Sequence, residues 1–175
     1  MKKNMKDIRL LLMDVDGVLT DGRVVLGEKE ELKFFDIRDG IGIALAKKSG
    51  FKVGVITGRM SKAVERRGQE LKMDYVIQGC KDKLKSLDEI LKKEKMSYQN
   101  VCFIGDDIID IPIFRKIGFS ATVNDAPDYV KSEVTFISNK NGGRGAVREI
   151  IEFVLKSKGT LKLTIEEMIN DWIAR

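Results

Sequence analysis

Six short apolar runs punctuate the chain, at residues 9–13, 52–56, 75–77, 101–104, 120–123 and 134–137. They are continuous rather than alternating, the pattern of strands buried on both faces. Between them the apolar positions recur at helical spacing and predict helices at 41–49, 61–72, 83–94, 109–117 and 146–156. Gly50 and Gly118 stand just past two of these, where helices commonly stop. Strands alternating with helices indicate a parallel sheet covered on both sides, an α/β fold of the three-layer Rossmann-like kind. Pro112 and Pro127 are the only prolines, and no low-complexity linker or internal repeat divides the chain.

Two segments break the alternation. Residues 23–37 (RVVLGEKEELKFFDI) predict a β-hairpin flap after the first strand, turning at 27–30. Residues 160–175 carry a small amphipathic pattern of Ile165, Met168, Ile169, Trp172 and Ile173. That stretch is too short to fold alone, so it is expected to dock on its own domain or on a neighbouring subunit. The domain reading is therefore a core over 1–159 and a tail over 160–175.

Composition narrows the chemistry. Histidine is absent from all 175 residues, which removes Ser-His-Asp and Cys-His triads, His-ligated zinc and every imidazole acid–base mechanism. The net charge of +5 suits a small anionic substrate and is too mild and dispersed to suggest nucleic acid. Cys80 and Cys102 form no CxxC pair and read as core thiols in a reducing compartment. The basic start, MKKNMKDIRLLLMD, has an apolar run only over 8–13, broken by Arg9 and with no small-residue cleavage site after it. No stretch approaches the roughly 20 apolar residues of a membrane span. A cytoplasmic protein with no membrane association is the expectation.

In open α/β sheets, ligands bind at the carboxyl ends of the strands. Here the first run is followed by Asp14-Val15-Asp16-Gly17 and the second by Thr57-Gly58-Arg59. Lys83 comes soon after the third, and Gly105-Asp106-Asp107, with Asp110 one turn on, after the fourth. Each signal alone is as common in ordinary turns, but four on four successive strand ends gather five acids, a hydroxyl and a lysine at one edge. Carboxylates so close repel and raise one another's pKa. A hard divalent cation resolves that conflict, and all-oxygen ligation favours Mg²⁺. The inventory also meets the needs of phosphoryl transfer, namely a nucleophile, a cation on the non-bridging oxygens and a proton donor.

At this point the sequence resembles the haloacid dehalogenase-like phosphohydrolases, through DVDGVLTDG (14–22), TGR (57–59), Lys83 in KDKL and GDDIID (105–110). Within them it is most similar to the subfamily that hydrolyses 3-deoxy-D-manno-octulosonate 8-phosphate in lipopolysaccharide precursor synthesis. DIRDG (36–40), VERR ending at Arg67, DAP (125–127) and GGRGAVRE (142–149) carry that closer match. The resemblance implies that Asp14 is the nucleophile forming an aspartyl-phosphate and that Asp16 is the acid, then the base. It implies that Thr57 and Lys83 hold phosphoryl oxygens, and that Mg²⁺ is held by Asp14, Asp106 and the main-chain oxygen of Asp16. Asp107 is implied as a water-mediated metal contact, and Asp110 as the residue orienting Lys83. Arg38, Asp39, Gly40, Arg59 and Arg67 are implied contacts of the sugar acid, arginine being suited to a carboxylate. Arg67 also reads as part of a solvated helix face beside Arg66.

Larger relatives insert a cap domain, for which neither 17–56 nor 58–82 has room. The resembled subfamily closes its sites by assembling as a homotetramer with packed hairpins. Val24, Val25, Leu26, Phe34 and Phe35 fit such an interface, or equally the chain's own core. The Gly142–Gly145 run reads either as an anion-binding turn or as a plain helix entrance. Three alternatives stand beside the octulosonate phosphatase. A phosphatase for a related nine-carbon keto-deoxy acid is the nearest, with Arg38 and Arg59 favouring the eight-carbon substrate. A signalling receiver domain has its acidic pair on the first strand and its phosphate-accepting Asp later, the reverse of the order here. A non-catalytic oligomerisation module is expected to have lost Asp14, Asp16 or Lys83, and all three are present.

Overall fold

A computed structural model describes residues 5–27 and 31–174. Leu10–Met13 forms β1, the fully buried centre of a six-stranded sheet. Around it lie Lys52–Ile56 (β4), Tyr75–Ile77 (β5), Val101–Ile104 (β6), Phe119–Thr122 (β7) and Phe136–Ile137 (β8), in the order β5-β4-β1-β6-β7-β8. Every pairing in this sheet is parallel, with Leu11 opposite Val53 on one side and Cys102 on the other. The two-residue period of β1 divides the core. Leu11 and Met13 join one apolar cluster with residues of Ile37–Lys48 (α1), Val64 of Lys62–Glu70 (α2) and Ala146–Lys158 (α6). Leu10 and Leu12 join the other, with residues of Lys83–Glu94 (α3), Ile111–Phe114 (α4) and Asp128–Lys131 (α5). The result is the expected three-layer α/β sandwich.

The differences from the expected elements have local causes. Helix α1 starts four residues early, because the Asp36 side chain accepts from Arg38 N and caps it. Gly40 and Gly42 hide that turn from a periodicity reading, and Gly42 is required by packing: a Cβ there would stand 2.8 Å from Arg148 Cα of α6. The helix expected at 109–117 is a 3-10 turn, Ile108–Asp110, followed by the short α4 with Pro112 in its first turn. The strand expected at 134–137 shrinks to β8, and α5 lies in a stretch for which no helix was expected.

After β1 the chain makes a small antiparallel pair, Val25–Leu26 (β2) with Glu31–Leu32 (β3). The turn placed at 27–30 lies, from Glu28 to Glu30, outside the described residues. Only α2 separates β4 from β5. The tail forms Leu161–Ile173 (α7), lying on α1 and α6 of its own chain. Leu161, Ile165 and Met168 pack against the core, the Ser49 and Thr164 hydroxyls are 2.7 Å apart, and Lys48 pairs with Asp171. Among the described residues no helix is long and apolar enough to cross a membrane.

Candidate active site

The chain leaves β1, moves to β4 on one side and later to β6 on the other, so the carboxyl end of β1 is the topological switch point of the sheet. Asp14 stands there, its backbone N–H donating to Ile104 O at 2.9 Å. Its Oδ1 accepts from Val15 N at 2.7 Å and its Oδ2 lies 2.7 Å from Lys83 Nζ. Lys83 opens α3 and is equally close, 2.7 Å, to Asp110 Oδ1. The other oxygen of Asp110 accepts from Asp106 N and Asp107 N at 3.0 and 3.3 Å. Asp110 is therefore engaged with Lys83 on one oxygen and with the β6 loop on the other.

Asp106 has the opposite character. Its Oδ1 is buried with no hydrogen-bond partner among the described residues. The carboxyl lies against Gly17, where φ is +87° and a Cβ would stand 1.9 Å from Asp106 Oδ2. Burial, reinforced by Asp14 and Asp110, pushes its pKa up to about 8. Burial also raises Asp14 to about 6 against the pull of Lys83. At Lys83 burial opposes the charge, but Asp110 and Asp14 outweigh it and hold the ammonium above its ordinary range. Carboxylate oxygens of Asp14, Asp106 and Asp110 all lie within 4.8 Å of one another, three acids against one lysine. The unpartnered oxygen and the all-carboxylate donor set fit a hard divalent cation. Asp106 has a free oxygen and each Asp14 oxygen has a single partner, whereas Asp110 carries three contacts, so Asp14 and Asp106 keep more capacity for a cation.

The remaining expected residues divide into two groups. Thr57 is buried at the end of β4, next to β1, its hydroxyl accepting from Arg59 N at 3.4 Å. Arg59 Nε lies 3.7 Å from Asp16 Oδ2. Arg67 pairs with Glu70 and stands 5.8 Å over the Phe35 ring, lining a recess with Lys33 and Phe35. Gly40 makes room for it, since a Cβ there would meet Arg67 Nη2 at 2.6 Å. Arg38 and Asp39 turn elsewhere. Arg38 pairs with Asp36 and is exposed, beside a recess lined by Lys140, Arg144 and Arg148. Asp39, in the first turn of α1, is buried against the start of α6 and accepts from Gly145 N at 3.3 Å and Arg148 N at 2.9 Å. Asp107 caps the 3-10 turn after β6 and meets Tyr129 Oη at 3.3 Å.

The structure adds contributors that the sequence reading passed over. Lys33 and Glu31 of the flap reach Asp16 and Arg59. Glu31, Lys33 and Phe35 turn inward, Phe35 onto the core, and alternate with exposed Leu32 and Phe34, so this strand of the flap faces its charges inward and two of its apolar side chains outward. The Gly142–Gly143 turn buttresses the Asp16–Thr20 loop, with Gly143 N donating to Val18 O and Gly142 N to Asp125 Oδ1, both at 2.9 Å.

Known proteins resemble this chain in sequence and in fold. The sequence profile of the haloacid dehalogenase-like hydrolases matches residues 78–151. The 3-deoxy-D-manno-octulosonate 8-phosphate phosphatase of Escherichia coli K12 is 42% identical over 157 residues, covering 89% of this chain and 84% of that one. The crystal structure of the Moraxella catarrhalis enzyme of the same name, in complex with magnesium ion, phosphate ion and KDO, superposes with a TM-score of 0.91 at 36% identity, covering 95% and 97% of the two chains. The cobalt-bound form of the Haemophilus influenzae phosphatase superposes with a TM-score of 0.87 at 34% identity, covering 90% and 93%. This chain belongs to the 3-deoxy-D-manno-octulosonate 8-phosphate phosphatase family of the haloacid dehalogenase-like hydrolases.

Proposed function

We propose that this chain is a Mg²⁺-dependent phosphatase that hydrolyses 3-deoxy-D-manno-octulosonate 8-phosphate to the free sugar acid and phosphate, in lipopolysaccharide precursor synthesis. The observation that carries the reading is the buried Asp14 carboxylate, gripped by Lys83 beside the unpartnered Asp106. The identity to the Escherichia coli enzyme and the KDO-bound Moraxella catarrhalis neighbour support the substrate.

Asp14 attacks phosphorus, and the bond to the sugar oxygen breaks with its electron pair leaving on that oxygen. Asp16 donates the proton that completes the sugar hydroxyl. In the second step water attacks the aspartyl-phosphate, Asp16 takes the proton, and Asp14 is released with phosphate. Lys83 and the Thr57 hydroxyl stabilise the non-bridging oxygens as charge builds there. Asp14, Asp106 and the main-chain oxygen of Asp16 would hold Mg²⁺, which would supply positive charge to offset the phosphate in front of the carboxylates. Arg59 and Arg67 recognise the acid end of the sugar acid, a reading supported by the nearness of Arg59 to Asp16 and by the room Gly40 leaves for Arg67. Asp107 is a water-mediated partner of the metal. Arg38 and Asp39 act at the rim and through α6. We read the assembly as a homotetramer with converging flaps, supported by the outward apolar face of the hairpin, and the location as cytoplasmic, supported by the two free thiols.

Phosphate release across a panel of esters tests this, with Mg²⁺, with chelator, and with Asp14→Asn. Metal-dependent preference for the octulosonate ester, lost at least about 10³-fold in Asp14→Asn, is the expected result. Preference for the nine-carbon ester transfers the assignment to that substrate, and release unaffected by Asp14→Asn sinks the mechanism.

A further inference from the structure

The Lys33 side chain is only 1% exposed, although it comes from a two-stranded flap. Burying an ammonium is costly unless it is paired, and here it is paired twice. Lys33 Nζ donates to Asp16 Oδ1 and lies 2.6 Å from Glu31 Oε1. Glu31 in turn holds Arg59, with Nη2 2.5 Å from Oε2, and Arg59 Nε approaches Asp16 Oδ2 only to 3.7 Å. Two acids and two cations thus close a charge-balanced ring that ties the flap to the β1 and β4 loops.

Within this ring the two oxygens of Asp16 are unequal. Oδ1 is gripped by Lys33, while Oδ2 accepts no hydrogen bond among the described residues. We infer that Lys33 is a positioning residue for the reaction: it fixes the Asp16 carboxyl so that Oδ2 is the oxygen that meets the leaving group. The flap so does, through one strand, part of what a cap domain does in larger relatives. Glu31 is the counter-charge that keeps Lys33 in place and Arg59 beside it. Lys33 holds the carboxyl and transfers nothing. The proton given to the sugar oxygen as the phosphorus–oxygen bond breaks comes from Asp16. The inference rests on the phosphatase reading of Asp14 and Asp16.

That role has a consequence a merely structural lysine lacks. A sugar alkoxide needs the proton from Asp16, whereas p-nitrophenolate leaves without one. In single turnovers with Mg²⁺, Lys33→Met is expected to slow phosphoryl transfer from the octulosonate ester by about 10–100-fold. It is expected to leave transfer from p-nitrophenyl phosphate nearly unchanged and KM little altered, with Lys33→Arg restoring most of the rate. Equal fractional losses on the two esters, or no loss on either, overturn the inference. Should Lys33→Met fail to fold with two carboxylates stranded, the Lys33→Met, Glu31→Gln double variant removes one of them and gives the same comparison. If wild type refuses the octulosonate ester, the substrate assignment alone fails, and the comparison is read on whichever alkyl phosphate is turned over.

Discussion

Asp106 is half-buried, with one buried oxygen unpartnered among the described residues, and its pKa is pushed up to about 8; Asp14 and Asp39 are raised by burial to about 6. All three have an ordinary value of 3.8. Between these limits the native protein holds protons that the unfolded chain has released, so native stability falls as pH rises. Acids lowered by ion pairing act oppositely but elsewhere. Asp36 beside Arg38, and Glu31 beside Lys33 and Arg59, start from 3.8 and 4.5 and move down, so their contribution is complete above about pH 5. In chelator, the melting temperature is therefore expected to fall from about pH 5 to about pH 8, by roughly 2–4 °C for each kcal/mol lost. Mg²⁺ binds the ionised acids and should raise it more at pH 8 than at pH 5. Asp106→Asn is expected to flatten the slope and lose the Mg²⁺ response, while Asp39→Asn reduces the slope and keeps the response. A flat profile for the wild type in chelator, measured by differential scanning fluorimetry, would count against the buried acid cluster.

At the scale of elements, the loop before α6 is the test of how the site is held. A Cβ on Gly142 would stand 1.8 Å from Gly17 O and 3.0 Å from Thr20 O, both backbone atoms of the loop carrying Asp16. Gly142→Ala is therefore expected to cost about 1–3 kcal/mol in urea denaturation and to lower kcat, because the shift reaches Gly17 and through it Asp106. Gly159→Ala is the control: φ is +77° but nothing lies within 4 Å, so about 1 kcal/mol of backbone strain with unchanged kcat is expected. Equal kcat in both variants would separate the loop from the site. This buttress also marks the limit of sequence reading. The functional strand ends were legible because continuous apolar runs fix where each strand stops: Asp14 and Thr57 follow directly, Asp106 comes after Gly105, and Lys83 lies in the loop-to-helix step beyond β5. Lys33 was not, since a lysine in a hairpin reads as solvated until the register shows its side facing inward. Nor was the course of Asp39, whose carboxylate caps α6, an element brought close only by packing against α1. Glycine hid the start of α1 for the same reason, the need for close approach being a property of two helices rather than one.

For the whole molecule, the inverted flap makes the surface incomplete. Leu26, Leu32 and Phe34 are 80, 55 and 66% exposed, and Ile37 is exposed as well, while Glu31 and Lys33 of the same hairpin face inward. Single exposed apolar residues are ordinary; a run of them on one small element marks a contact. Burying each gives about 1.5–3 kcal/mol, against about 4–15 kcal/mol for the lost freedom of association. One pair of flaps is therefore a weak contact. A closed ring gains one more interface than an open chain of the same number of copies, which favours several flaps converging on an axis. Such a ring also braces each β3, and with it Lys33 over Asp16. The wild type is expected to sediment as a tetramer, and Leu26→Glu with Phe34→Asp as a monomer. The monomer should keep its secondary structure and bind Mg²⁺, yet lose about tenfold or more in kcat/KM as the flap loosens and water enters. A wild type that sediments as a monomer while fully active would reject the ring, and a dissociated variant with undiminished kcat/KM would show that each flap holds its own site unaided.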